Sequence, residues 1–327
     1  MAQMVGGIGT SHSPMLLNDP DTWRERAGQD ESNPDLRDET GRVTPFADLL
    51  ARAGDRYQAE LDDALWVRRH AACNDSMDRL ARDIAGIDCD AVVVVGDDQS
   101  EVFDSAVQPA IGIYWGDEWR TSVLEDVPPG PFFDNVRAGY AMDDVWTFKG
   151  APDLARDLVT SAVQQGFDIT SLARMPEGRG FGHAYGFVIR RLLGGREIPV
   201  VPVLLNTYYP PNQPTARRCY ELGRALARAV EESAAGHRVL FAASGGLSHF
   251  VVNEKLDRRL LAAIAADDAA DLAAIPQEVL NSGSSEIRNW ITVAGAMAGR
   301  GAAWQEYVPC YRTAAGTGCG MAFMRWN

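Results

Sequence analysis

Ala91–Gln99 reads AVVVVGDDQ, and its first five residues are apolar without a polar break. A β-branched run of this kind fits a strand buried on both faces, as in a parallel sheet covered by helices. Gly96-Asp97-Asp98-Gln99 then ends the strand. Gly-Asp is ordinary turn chemistry, so a solvated turn satisfies it, and so does a loop carrying metal or substrate ligands. Outward from this run, Met4–Ile8, Ala110–Tyr114, Ile198–Leu205 and Val239–Ala243 are also short and strand-like. The amphipathic stretches Pro152–Gln165, Thr215–Ser233 and Leu256–Leu272 predict helices between them. This alternation predicts an α/β fold, a mixed central sheet covered by helices, in a single large domain over residues 1–327. Asn18–Val43 is rich in Asp, Glu, Arg and Gly and predicts an excursion over the surface, within an insertion at about 18–85. Val127–Asp134 and Tyr208–Pro214 are Pro-driven loops.

Charge and composition narrow the function. Asp and Glu number 45 against 31 Lys and Arg, a net charge of −14, with no basic stripe to meet a phosphate backbone. Nucleic acid is therefore excluded as a partner. Apolar runs of about 20 residues, the length of a membrane span, are absent, so no membrane partner is expected. MAQMVGGIGTSHSP lacks the basic and apolar regions of a signal peptide. Five cysteines (Cys73, Cys89, Cys219, Cys310, Cys319) show no CxxC spacing and are odd in number. They read as reduced thiols in a cytoplasmic protein.

Only five histidines occur, and three of them sit in Gly- or Ser-flanked segments at the ends of expected elements. His12 lies in GTSHSP after the first strand, His183 in GRGFGHAYG before a short helix at Phe187–Leu193, and His249 in SGGLSHF after Val239–Ala243. Loops at strand ends are where α/β proteins build their sites. Each imidazole could cap or pack locally, but three in one context favour a shared site. Near the C-terminus, Glu286 opens the helical run Ile287–Ala298, where the helix dipole favours a carboxylate with or without a metal. The apolar stripe Trp290, Ile291, Ala294 and Met297 would hold that helix in place.

GIGTSHSP, GDDQSEVFD, GHAYGFVI, LNTYYPPNQPTARRCYELG, SGGLSHF and SGSSEIRNW occur in this order along the chain. In order and spacing they resemble the class III extradiol ring-cleaving dioxygenases, the protocatechuate 4,5-dioxygenase catalytic-subunit superfamily. The resemblance runs from about Met4 to Met324 and is weakest across Asn18–Ala85. It implies a non-haem Fe(II) enzyme of aromatic compound catabolism, an oxidoreductase that uses O₂ to open a small catechol-like ring, and it is compatible with a homo-oligomer. It implies His12 and Glu286 as metal ligands, His249 as the acid/base group and His183 as a second catalytic histidine beside the substrate.

Gln99 departs from the pattern, because the family usually places His at that position. It is the third expected ligand, through a neutral amide carbonyl that is a weaker donor than imidazole. His70 is an alternative ligand. Its spacing with Trp66, Cys73, Met77, Leu80 and Ile84 also puts it on a packed helix face. His237 reads as a loop residue without a role. The departure at Gln99 keeps open a metal-dependent hydrolase or C–C lyase on the same fold, and a binding protein that has lost its metal.

Overall fold

The apolar run beginning at Ala91 forms the second strand of a sheet that organises the chain. The computed structural model describes residues 1–125 and 127–327. Among the described residues ten strands form: β1 (Gln3–Thr10), β2 (Ala91–Asp97), β3 (Ile111–Tyr114), β4 (Glu118–Arg120), β5 (Thr147–Lys149), β6 (Thr170–Leu172), β7 (Val200–Leu205), β8 (Arg238–Ser244), β9 (Ala302–Tyr311) and β10 (Gly318–Trp326). Eight of them build the main sheet in the order β6-β3-β7-β2-β8-β1-β10-β9, and β4 and β5 pair separately. Strands β7, β2, β8 and β1 run parallel, whereas β10 is antiparallel to β1 and β3 is antiparallel to β7. The sheet is mixed, as expected.

Among the described residues ten α-helices surround it: α1 (Trp23–Asp30), α2 (Phe46–Ala53), α3 (Asp63–Ala85), α4 (Pro131–Gly139), α5 (Pro152–Gln164), α6 (His183–Phe187), α7 (Ala216–Glu232), α8 (Glu254–Ala265), α9 (Ala269–Ala273) and α10 (Ile287–Ala296). Caps fix several starts. Asp62 accepts from Leu65 N at 2.8 Å ahead of α3, Thr215 from Arg218 N at 3.2 Å ahead of α7, and Asn253 from Leu256 N at 3.1 Å ahead of α8.

Strand alternation divides the core into two layers. Val93 and Val95 face one side with Leu154 and Leu158 of α5, Leu222 and Leu226 of α7, and Trp290 and Ile291 of α10. Val92 and Val94 face the other with Trp66, Met77, Leu80 and Ile84 of α3. All four valines are fully buried, each burial contributing about 1.5–3 kcal/mol, so the run suits only a central strand. The expected excursion at 18–85 thus ends in α3, a helix that covers the sheet. Ahead of it, Trp23 of α1 is fully buried against Trp66, with ring centroids 5.7 Å apart.

Leu256–Leu272, expected as one helix, is two. Asp267 turns left-handed at φ 53°, and Asp268 caps α9 by accepting from Asp271 N at 2.9 Å. All five cysteines are free. Among the described residues no helix is long and apolar enough to cross a membrane.

Candidate metal centre and active site

Strands β2, β8 and β1 are neighbours and parallel, so their C-terminal ends open on one edge of the sheet. His12 follows β1, Asp97 ends β2, and Gly245–His249 follow β8. Helix α10 brings in Glu286 at its N-terminal side. Every residue of α10 is buried, and two of its side chains tie it to the end of β8. Asn289 donates to Ser244 O at 2.8 Å and Trp290 Nε1 to Gly245 O at 2.8 Å. This packing needs a glycine in β1, because a Cβ on Gly9 would stand 2.4 Å from the Trp290 ring. Helix α6 supplies His183 and is pinned by Tyr185, whose hydroxyl donates to Val203 O at 3.0 Å.

The ligating atoms of His12, Asp97, His183 and Glu286 all lie within 4.8 Å of one another, and all four residues are buried. Hydrogen bonds fix how His12 presents itself. Ser244 Oγ donates its one proton to Ala184 O at 2.6 Å, so it accepts from His12 Nδ1 at 2.9 Å. That leaves Nε2 with a lone pair. Nε2 is buried without a hydrogen-bond partner and faces Glu286 Oε2 at 3.3 Å. A buried basic nitrogen with no donor, beside carboxylates, is the arrangement a divalent cation completes.

His183 Nδ1 is held by Glu101 Oε1 at 2.5 Å, and Nε2 turns to Asp97 Oδ2 at 3.6 Å. Burial opposes charge on His183, but Glu101 and Asp97 outweigh it and raise its pKa well above the ordinary imidazole value. A field that favours a proton there also favours a metal cation. Burial likewise opposes charge on Glu286, yet His249 holds its pKa well below the usual carboxylate range. Gly246 N donates to Glu286 Oε2 at 2.7 Å and Tyr208 to Oε1 at 3.2 Å.

His249 stands beside this group and outside it. Its Nδ1 donates to Leu247 O at 2.9 Å, and Nε2 faces Glu286 Oε1 at 3.4 Å and the Tyr208 hydroxyl at 3.5 Å. Burial opposes its charge, but Glu286 raises its pKa well above the ordinary value. All three histidines, Glu286, Gln99 and Tyr208 line one cavity of about 310 Å³, with Leu124, Phe133, Val136 and Met142 among its walls.

Residues 67–322 match the family of the catalytic LigB subunit of aromatic ring-opening dioxygenase. The chain belongs to that family. Among the curated relatives of this LigB-family chain, a 2,3-dihydroxyphenylpropionate/2,3-dihydroxicinnamic acid 1,2-dioxygenase of Azotobacter vinelandii is 31% identical over 165 residues, 49% of each chain. One of the same description from Paraburkholderia xenovorans is 37% identical over 145 residues, 43% of each chain. A gallate dioxygenase of Pseudomonas putida is 34% identical over 109 residues, 32% of this chain and 31% of its own. The chain spans about half the length of the curated relatives it matches, or less.

Of the site residues expected from the sequence, His12, His183, His249, Glu286 and Gln99 all reach this cavity. Gln99 presents its amide nitrogen, 3.1 Å from Asp97 Oδ2 and 3.4 Å from Glu286 Oε1. Carboxylates only accept, so the NH₂ and not the expected carbonyl turns toward them. His70 lies elsewhere, on α3, with Asn74 at 3.1 Å and Trp23 edge-on at 6.3 Å. His237 pairs with Asp153 at 3.1 Å. The sequence offered Gly96–Gln99 as a ligand-bearing loop without singling out Asp97, and sequence reasoning missed Glu101 behind His183 and Tyr208. The signals were present, since Asp97 and Glu101 flank Gln99 in GDDQSE and Tyr208 lies in LNTYY.

Proposed function

We propose that this LigB-family chain is a non-haem Fe(II)-dependent extradiol dioxygenase that opens a catechol-like aromatic ring with O₂. The carrying observation is the group His12, Asp97, His183 and Glu286, with ligating atoms within 4.8 Å and His249 beside it on one cavity. Two imidazoles with a carboxylate form the donor set suited to non-haem iron with open positions. His12 Nε2, Glu286 and His183 Nε2 would hold the ion, and Asp97 and Gln99 flank it. Bound iron would supply Lewis acidity toward vicinal hydroxyls and the one-electron chemistry that dioxygen requires.

The chain's own groups do the rest. His249 Nε2 is placed to carry a proton between substrate atoms, its ring fixed by the Leu247 carbonyl. Tyr208 orients Glu286 and the His249 edge of the cavity. Apolar walls exclude water and hold a ring. The hydrolase or lyase alternative depends on the imidazole missing at Gln99, and His183 supplies one beside the same carboxylates. The five free thiols support a cytoplasmic setting. Protein purified without oxygen should retain iron near one equivalent, consume O₂ with a catechol and give a coloured ring-opened product. Bound metal without O₂ uptake across a panel of catechols would return the reading to hydrolase or lyase chemistry.

A further inference from the structure

Arg288 lies in the first turn of α10, two residues after Glu286, and is fully buried. Among the described residues its partners are four backbone carbonyls and no carboxylate. Nε donates to Pro214 O at 2.7 Å, and Nη1 donates to Leu280 O at 2.7 Å, Ser285 O at 3.2 Å and Thr207 O at 3.3 Å. Nη2 is buried without a hydrogen-bond partner. A guanidinium taken out of water without a counter-charge is costly, and a side chain that only filled space here would be apolar. Arginine at this place answers a need for donors aimed in several directions, which its planar fork spans more widely than a lysine ammonium.

The carbonyls it holds belong to two segments that meet at the cavity. Thr207 and Pro214 bracket the loop that carries Tyr208, and Leu280 and Ser285 bracket the turn that ends at Glu286. Residues 206–215 form neither helix nor strand, so no ladder of backbone bonds places Tyr208. A single nitrogen, Nη1, binds the residue directly ahead of Tyr208 and the residue directly ahead of Glu286. Across this bridge the Tyr208 hydroxyl donates to Glu286 Oε1 at 3.2 Å and lies 3.5 Å from His249 Nε2. We propose that Arg288 is a positioning residue that fixes the separation of Tyr208 and Glu286, so that the hydroxyl holds the carboxylate in one orientation toward the cavity. For turnover the assignment rests on the dioxygenase reading, and for the carboxylate on the metal group alone.

The test uses the full chain with Arg288→Lys, Tyr208→Phe and the double variant. Metal-free proteins are titrated anaerobically with Co(II), whose visible absorption reports binding. Each single variant should bind Co(II) roughly 10–100-fold more weakly, the range for groups that orient a metal ligand. The double variant should bind no more weakly than the weaker of the two singles, because both changes act on one contact. Iron-loaded Arg288→Lys should lose a similar factor in kcat for catechol while KM changes by less than about 3-fold. The apolar walls that hold a ring, Leu124, Phe133, Val136 and Met142, belong to the 124–142 segment and not to α10. Circular dichroism and Tm check the fold, and Arg288→Gln, which keeps a donor and buries no charge, replaces the Lys variant if that misfolds. Failure of both to fold would assign the bridge to folding alone and overturn the positioning role. So would unchanged Co(II) affinity and kcat in a variant of lowered Tm, or losses that add in the double variant. The expected Co(II) series, with no O₂ uptake by wild type across a panel of catechols, would sink the dioxygenase reading and leave Arg288 as a positioning residue.

Discussion

Three imidazoles face one cavity, and their inner nitrogens divide their roles. His183 Nδ1 rests on the Glu101 carboxylate, which makes the ring a stronger donor to a cation. His12 rests on a serine hydroxyl and keeps Nε2 bare. His249 rests on a neutral backbone carbonyl, outside the four-residue group, so its Nε2 can gain and lose a proton. His249→Ala should therefore retain metal yet lose roughly 10²–10⁴-fold in turnover, the usual range for a general acid–base group. Iron content measured with single-turnover kinetics checks this, and loss of metal in the variant would move His249 into the ligand set. Strand-end residues such as His12 and His249 are legible in sequence, because a polar residue directly after an apolar run has few other places to go. Glu101 is less legible. Its place depends on the 98–103 loop folding back, with Val102 N and Phe103 N donating to Asp98 at 2.8 and 3.0 Å.

At the scale of elements, the central strands announce themselves and the β9–β10 pair does not. Strand β2 reads as an uninterrupted apolar run because both its faces are buried. The β9–β10 pair alternates irregularly, carries Pro309, Gly318 and Gly320, and gives no comparable pattern, although it flanks β1. The loop bearing His249 is anchored by elements far apart in sequence. Asp257 of α8 accepts from Ser248 N at 2.8 Å, Ser248 Oγ at 2.6 Å and Tyr307 of β9 at 2.7 Å. Burial raises the Asp257 pKa to about 6 despite these bonds. The folded state thus holds this proton more tightly than the unfolded chain, whose carboxyl titrates near 4. The resulting stabilisation is complete below about pH 4 and disappears as pH rises through about 6, on the order of 3 kcal/mol in all. Asp257→Asn should fold, because the Ser248 and Tyr307 hydroxyls can rotate to accept from an amide. The wild-type advantage in Tm over that variant should shrink by several degrees between pH 4 and 7 and then level off. A difference in Tm that stays constant over that range would show that Asp257 does not titrate there.

For the whole molecule, the metal group is a long-range closure. His12, Asp97, His183 and Glu286 come from the loop after β1, the end of β2, the start of α6 and the turn into α10, so no short segment can assemble them. An ion that binds only the folded arrangement stabilises it by mass action, by about 4 kcal/mol at a thousandfold excess over Kd. The net charge of −14 adds a general attraction for cations, but that term is screened by salt and indifferent to which residues are present. Site binding and diffuse attraction can therefore be separated. Anaerobic Fe(II) should raise the wild-type Tm by several degrees in about 0.15 M salt, and a chelator should reverse it. His12→Ala keeps the net charge of the neutral-histidine protein but removes the member of the group whose ligating nitrogen is buried without a hydrogen-bond partner. Its Tm should barely respond to the same iron. Calcium at equal concentration should move neither protein by more than a small fraction of the Fe(II) effect, because imidazole is a poor ligand for so hard an ion. Equal iron shifts in wild type and His12→Ala would mean that the ion acts through surface charge, and the four-residue group would then have no claim as the metal centre.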